Sequence, residues 1–345
     1  MINIKDKLNR TNILIKRTND VDVEYVSSAD FEADIKAING RIDELNNTDI
    51  SNFATISELS EQVNELKREI NRAKIDATGF QFRYSTFTVF PDKFDFSNVS
   101  DFNNMFMDCS NLKKVDTYIS PSGPSTMDGM FLNCSSLVEA PEIDTMLCES
   151  AEGMYSYCTS LTTVPSYSMA MMVNLTEMFY NCEKLTEVGD ISGYSGNDED
   201  MYDLRYINFM FTNCTSLTTA PHIPTRYVTF FQGMYSNCTS LTTVPSYDVT
   251  NATSISGMFN GCTNLTNFGG LKNLSINCEH SGLEKCSKLS YDSLINIISG
   301  LYDFRGNGDN TTTRTIKLNY NSVGLLSDDD IAMATAKGWV ISSGY

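Results

Sequence analysis

Ten cysteines and two histidines are the residues of this chain best suited to chemistry. Eight of the cysteines, Cys109, Cys134, Cys158, Cys182, Cys214, Cys238, Cys262 and Cys286, recur at near-constant spacing, while Cys148 and Cys278 fall outside that frame. Structural zinc takes four ligands, usually as closely spaced pairs. Cys278, His280 and Cys286 come nearest to such a set, but Cys286 is committed to the recurring frame. Neither His222 nor His280 has a neighbouring nucleophile and carboxylate arranged as a triad, and no glycine-rich phosphate loop occurs. The chain is therefore expected to be no enzyme and to hold no metal or cofactor. One acidic stretch, Asp190, Asp198, Glu199, Asp200 and Asp203, reads as a solvated surface loop; calcium is the other reading, although the spacing is not that of an EF-hand.

The cysteines belong to a larger pattern, and the pattern supplies the elements that position them. Seven segments share Met-[Phe/Tyr]-x-x-Cys-x-x-Leu, centred on Cys109 to Cys262, and an eighth copy keeps only Cys286 and Leu289. Successive cysteines lie 25, 24, 24, 32, 24, 24 and 24 residues apart. Apolar residues stand seven, four and three positions before each of the first seven repeat cysteines, as in Leu175, Met178 and Phe179 before Cys182. That is the i, i+3, i+4, i+7 stripe of a short helix. Leu-Thr-Thr-Val-Pro at 161–165 and 241–245 reads as a short strand, ended by a proline that cannot donate a ladder hydrogen bond. The expected coil is a short helix, a turn and a strand. Stacking such coils buries what one alone leaves open, so the fold class is an α/β solenoid. Stacking also sets the eight cysteines side by side with parallel side chains, a reduced structural ladder of small buried hydrophobes rather than disulfides.

The Met-Phe-x-x-Cys-x-x-Leu repeat resembles the BspA-type leucine-rich repeat family over about residues 95–345. Members of that family include bacterial surface proteins and tail or fibre proteins of bacteriophages. The likeness extends to Tyr291-Asp292-Ser293-Leu294-Ile295-Asn296-Ile297-Ile298 and to the stretch from Leu326 to Trp339, similar to the C-terminal cap of phage-borne members. The resemblance implies a leucine-rich-type solenoid over 105–289, with capping regions at 77–104 and 290–345. The aromatics Phe80, Phe82, Tyr84, Phe87, Phe90, Phe94 and Phe96 are expected to cover the first coil. In the C-terminal cap, Leu294, Ile297, Ile298 and Leu301 share a helical face, a strand is expected at 315–318, and Ser327 and Gly338 bracket a last short helix.

Upstream the periodicity changes to heptads. Ile35, Ile42, Ile56, Val63 and Ile70 take one core position, and Ile38, Leu45, Leu59, Leu66 and Ala73 its partner, interrupted by Asp49 and Asn52. Residues 29–76 thus form a coiled-coil oligomerisation stalk; its isoleucines permit dimers and lean towards a homotrimer. An antiparallel hairpin folding back through residues 46–52 is the alternative. Residues 1–28 carry Lys5, Lys7, Arg10, Lys16, Arg17 and an alternating Val21, Val23, Tyr25, read either as an attachment segment docking by strand addition or as a loosely ordered terminus.

Charge narrows the partners. Forty-three acidic residues against 25 basic ones give a formal charge of −18, a field that repels nucleic acid and anionic membrane surfaces. The first residues, Met1 to Leu8, lack the apolar stretch of a secretory signal. Tyr118, Tyr167, Tyr194, Tyr227 and Tyr247, each just after the strand of its coil, are the candidate binding surface. Attachment segment, stalk and rigid head together resemble a phage fibre or appendage made in the host cytoplasm and exposed on the virion. Its partners would be other copies of itself, other virion proteins and a host surface glycan or protein. A bacterial surface adhesin or scaffold is the alternative.

Overall fold

The computed structural model describes residues 82–90, 96, 99 and 101–344, apart from 122, 124, 169 and 193–202. The expected stalk and attachment segment, together with Tyr194, Asp198, Glu199 and Asp200, lie outside the described residues. The chain divides into two compact units, residues 1–80 with 93–99, and residues 81–92 with 100–345. The repeats and the C-terminal region share the second unit.

The Met-[Phe/Tyr] segment of each copy is not the short helix that its apolar spacing suggests. In the Cys134 copy, the N–H groups of Met130, Leu132 and Cys134 donate to carbonyls three residues back, at Met127, Gly129 and Phe131 (3.2, 2.9 and 3.0 Å). The alternate N–H groups of Met127, Gly129, Phe131 and Asn133 donate instead into the next copy, at Ser150, Glu152, Met154 and Ser156 (2.7–2.8 Å). The remaining carbonyls, at Asp128, Met130 and Leu132, accept from Asn104, Phe106 and Asp108 of the copy before (2.8, 2.7 and 2.8 Å). Every second peptide group therefore bonds along the chain and the rest bond across copies. The backbone of the segment is satisfied without a helix.

Left-handed residues make this possible. The positions five and one before the cysteine have φ near +60°, as at Gly129 and Asn133 or Gly233 and Asn237. Glycine and asparagine adopt that region most cheaply. The asparagines also bond to one another: Asn237 Nδ2 donates to Asn213 Oδ1 at 2.9 Å, and Asn213 Nδ2 to Asn181 Oδ1 at 2.5 Å.

Beyond the cysteine, copies pair through short parallel ladders. One ladder holds β1 (Val89–Phe90) with β2 (Lys114–Val115), β5 (Thr163–Val164) with β7 (Glu187–Val188), and β9 (Thr243–Val244) with β11 (Asn267–Phe268). A second holds β6 (Tyr167–Ser168) with β8 (Ile191–Ser192), and β10 (Tyr247–Asp248) with β12 (Leu271–Lys272). A third starts at β3 (Ser125–Thr126) and β4 (Cys148–Ser150) and continues as single bridges from Ser150 to Asn174, Tyr206, Phe230 and Ser254. Inside, the aromatic three before each cysteine stacks on its counterpart: Phe106, Phe131, Tyr155, Phe179, Phe211, Tyr235 and Phe259 follow at 5.0–6.1 Å between ring centroids.

The column begins one copy earlier than the cysteines announce. Phe82 stacks on Phe106 at 5.3 Å, Tyr84 has φ +61°, and Ser85 N–H donates to Phe82 as each cysteine N–H does to its own aromatic. Ser85 thus stands where the next copies carry cysteine. Phe90 closes against both Phe82 and Phe106 at 5.0 Å. At the other end, α1 (Tyr291–Gly300) buries Leu294, Ile297 and Ile298 and packs on β11 and β12. β13 (Arg314–Asn319) bridges Cys278 through Ile316 and pairs in parallel with β14 (Trp339–Gly344). Between them lie the single turn α2 (Tyr320–Val323) and α3 (Asp328–Ala336), the latter opened by a reciprocal Ser327–Asp330 cap.

Candidate ligand-binding surface

The framework cysteines serve the stack. From Cys109 to Cys262, each Sγ donates to the carbonyl of the aromatic residue one copy earlier, for example Cys182 to Tyr155 and Cys214 to Phe179, at 3.0–3.1 Å in the whole series. Cys286, in the degenerate last copy, makes only long contacts of 3.9 and 3.6 Å to Phe259 and Gly282. All ten cysteines are buried and free. Burial pushes the thiols of Cys148, Cys262 and Cys278 up to about 12, the opposite of what a nucleophile or metal ligand needs. His280, beside Cys278, is exposed. Among the described residues no group of three His, Cys, Asp or Glu is placed to hold a metal ion.

The five candidate tyrosines do not form one surface. Tyr167 and Tyr247 are buried, which corrects their expected place on the outside. Both are nine residues past their cysteine and turn inward, where the phenol meets a second phenol and a proline carbonyl. The Tyr167 hydroxyl lies 2.7 Å from that of Tyr155 and donates to Pro141 at 2.9 Å; Tyr247 repeats this with Tyr235 at 2.5 Å and Pro221 at 3.2 Å. Tyr118 is 57% exposed, and burial with nearby Asp144 and Glu142 raises its phenol. Tyr194 falls outside the described residues. Tyr227 is half-buried, with the guanidinium of Arg205 at 5.6 Å and that of Arg226 at 5.9 Å from its ring centroid.

Around Tyr227 lies a group of residues that sequence reading missed. In the third ladder the outward position is Ser150, Asn174, Tyr206, Phe230 and Ser254 in successive copies. Only the Cys214 and Cys238 copies place large aromatics there; Tyr206 and Phe230 are 40% and 38% exposed and stack at 5.8 Å. Arg205 ties this pair to Tyr227, since its carbonyl accepts from the N–H groups of Thr229 and Phe230 (3.0 and 3.4 Å) while its guanidinium faces the Tyr227 ring. Asp203 stands 4.0 Å from the same guanidinium. Arg226 is exposed, and its backbone is held by Asn251 Nδ2 at 2.7 Å.

Phe209 adds a strained neighbour. It occupies the left-handed position five before Cys214 at φ +55°, where four other copies have glycine. Its ring lies across Gly233, so that a β-carbon at Gly233 would come within 2.4 Å of it. Bulky residues at such angles are rare and cluster at functional sites.

The long interval leads along the chain to Tyr206. Thirty-two residues against 24 leaves eight extra, which fall between Ile191–Ser192, paired with β6, and Tyr206, bridged to Asn174 and Phe230. The insertion therefore leaves the register of both ladders intact. Of its carboxylates, Asp190 and Asp203 are described and both are exposed. The signal that would have found the patch is departure from the repeat: Tyr, Phe and Arg where other copies carry small polar residues or glycine.

A family model described as "Mycoplasma protein of unknown function, DUF285" matches residues 22–140, 77–194, 125–222 and 198–277. These overlapping segments together span 22–277, most of the chain. No curated protein matches it.

Proposed function

The chain belongs to the DUF285 family of BspA-like repeat proteins, a family of unknown function, and from that premise we propose that it is a non-catalytic binding protein whose repeats form a leucine-rich-type solenoid head. The observation that carries this reading is the outward placement of Tyr206 and Phe230, backed by Arg205, Arg226 and Tyr227, on a hydrogen-bonded frame whose other copies are polar at the same position. Tyrosine and arginine are the residues most often found where binding energy concentrates. A frame with both of its backbone directions satisfied holds them in place at low entropic cost.

The proposal includes the stalk. Heptads over 29–76 gather the chains, as a trimer, and residues 1–28 attach them to a larger particle, so that the heads are displayed together as a bacteriophage fibre or appendage. Several weak heads on one particle then act through effective concentration rather than through single-site affinity. Light scattering on the full chain and on a version lacking residues 1–76 tests this part: a trimer becoming a monomer supports the fibre, and a full-length monomer refutes it.

A bacterial surface adhesin is the second reading, favoured by the family model's own description, which names a cellular organism. Antibody labelling separates the two. A fibre is found on particles, an adhesin on the producing cell.

A further inference from the structure

We infer that the surface around Phe230, Tyr227 and Arg226 takes a terminal pyranose sugar carrying a single carboxylate. The inference rests on the binding role proposed above and names the ligand's chemistry.

The aromatic component comes from the third ladder. Tyr206 stacks on Phe230 from the preceding copy, and the bridge partner of Phe230 on the following side is Ser254. A serine side chain is too small to cover a phenyl ring, so the exposed Phe230 presents apolar surface next to the Ser254 residue of the following copy. An apolar ring face beside a hydroxyl matches a pyranose, which has a C–H face and a rim of hydroxyls. It matches a peptide side chain or an alkyl chain less well.

The charge comes from the arginines. Two guanidinium groups converge on the one ring of Tyr227, at 5.6 and 5.9 Å from its centroid. A guanidinium stacked on an aromatic keeps its planar N–H edge for a carboxylate. Asp203 already lies near Arg205, which leaves the exposed Arg226 as the anchor for the ligand and Arg205 as the residue that shapes the site. The number of charges on the ligand follows from the rest of the protein. With a formal charge of −18, the chain as a whole repels a polyanion. One carboxylate held close to Arg226 feels mainly that guanidinium, because fields from charges beyond about 8 Å are screened at physiological salt. A polyuronate or a nucleic acid is disfavoured, and a sugar with one acidic group at its end is favoured.

The test uses the full chain and three sugars: 3′-sialyllactose, its methyl ester, and lactose. Titration calorimetry or ligand-observed NMR should show sialyllactose binding and the ester, in which a methyl group caps the carboxylate and removes its charge, about tenfold weaker or more. Arg226→Ala should weaken the acid to the level of the ester while leaving the ester unchanged. Phe230→Ala should weaken all binding. Both side chains are exposed, and unchanged urea midpoints would show that the variants fold. If acid and ester bind alike and Phe230→Ala weakens both, the carboxylate specificity is wrong while the sugar-binding surface survives. If no sugar binds, or if binding ignores Phe230→Ala, the inference is overturned; the light-scattering test still judges the fibre separately.

Discussion

Two glycines in equivalent positions let the cost of a left-handed backbone be separated from the cost of a contact. Gly233 and Gly257 each stand five residues before a framework cysteine, at φ +62° and +66°. A β-carbon at Gly257 would meet nothing within 4 Å, whereas one at Gly233 would come within 2.4 Å of Cδ1 and 2.6 Å of Cε1 of Phe209. Gly257→Ala therefore costs only the left-handed penalty, about 1–2 kcal/mol. Gly233→Ala adds the displacement of a ring that is itself fixed at a left-handed residue; overpacking of that kind costs about 1–3 kcal/mol, for a total of roughly 2–5 kcal/mol. The assay is urea denaturation of both variants in the natural chain and in a Phe209→Gly background, with glycine chosen because a β-carbon at Gly257, which follows a copy with Gly233 at the same position, meets nothing within 4 Å. Stacked repeats open from their ends and need not unfold in one step, so the comparison is between midpoints at unchanged slope. In the Phe209→Gly background the two alanine variants should become equal. If Gly257→Ala is as damaging as Gly233→Ala in the natural chain, or if the excess at Gly233 persists without the Phe209 ring, the assignment of that ring to the Gly233 surface is refuted.

The buried thiols predict alkaline sensitivity: Cys148, Cys262 and Cys278 are raised by burial from 9.0 to about 12, so the unfolded chain loses those protons first. Their contribution is complete below pH 9.0 and is lost as pH rises towards about 12; urea midpoints should fall across that window, less steeply in Cys262→Ser, and an unchanged slope in that variant would count against the linkage. Tyr167→Phe removes the hydroxyl that serves both Tyr155 and Pro141, and should cost about 1–3 kcal/mol in urea denaturation, with the Tyr155→Phe, Tyr167→Phe double variant costing less than the sum. Additive losses would mean that the two phenols are not partners.

The repeat and its period are legible in residue spacing alone, because stacked copies must place the same side chains at the same rung. The conformation within a rung differs from what the apolar spacing suggests. Apolar residues at −7, −4, −3 and 0 from the cysteine fit a helix, but the same segment carries Gly or Asn at −5 and −1 in most copies. A helix interior disfavours glycine by about 1 kcal/mol relative to alanine, and two left-handed residues four apart rule it out. That second period, and not the apolar one, sets the backbone of the segment. The inward turn of Tyr167 and Tyr247 was also encoded. Copies with tyrosine three before the cysteine, at Tyr155 and Tyr235, carry a buried tyrosine nine after it, whereas the Phe131, Phe179, Phe211 and Phe259 copies carry Ile143, Ile191, Ile223 and Leu271 at that point. The Phe106 copy also has a tyrosine nine after its cysteine, but there Ile119 bridges Ile143 in the inward place and Tyr118 stays exposed. A phenol turns inward only where a second phenol can meet it, the signature of a buried pair rather than of an exposed platform.

That coupling also explains why the candidate surface lies where it does. In the turn column, as in the Cys134 copy, backbone N–H groups alternate between bonds along the chain and bonds into the next copy, so positions −7 to 0 tolerate little beyond their left-handed and apolar requirements. The outward position of the third ladder carries no such demand: Ser150, Asn174 and Ser254 occupy it as readily as Tyr206 and Phe230. Residues there can change without altering the register, and the eight-residue insertion enters at the same corner without shifting it. Phe209 is the exception that crosses from one class to the other. The fold is met by glycine at that position in four other copies, yet this copy bears the cost of a phenylalanine at φ +55°. Its ring lies across Gly233 of the next copy, in the same two copies that carry Tyr206 and Phe230 in the third ladder.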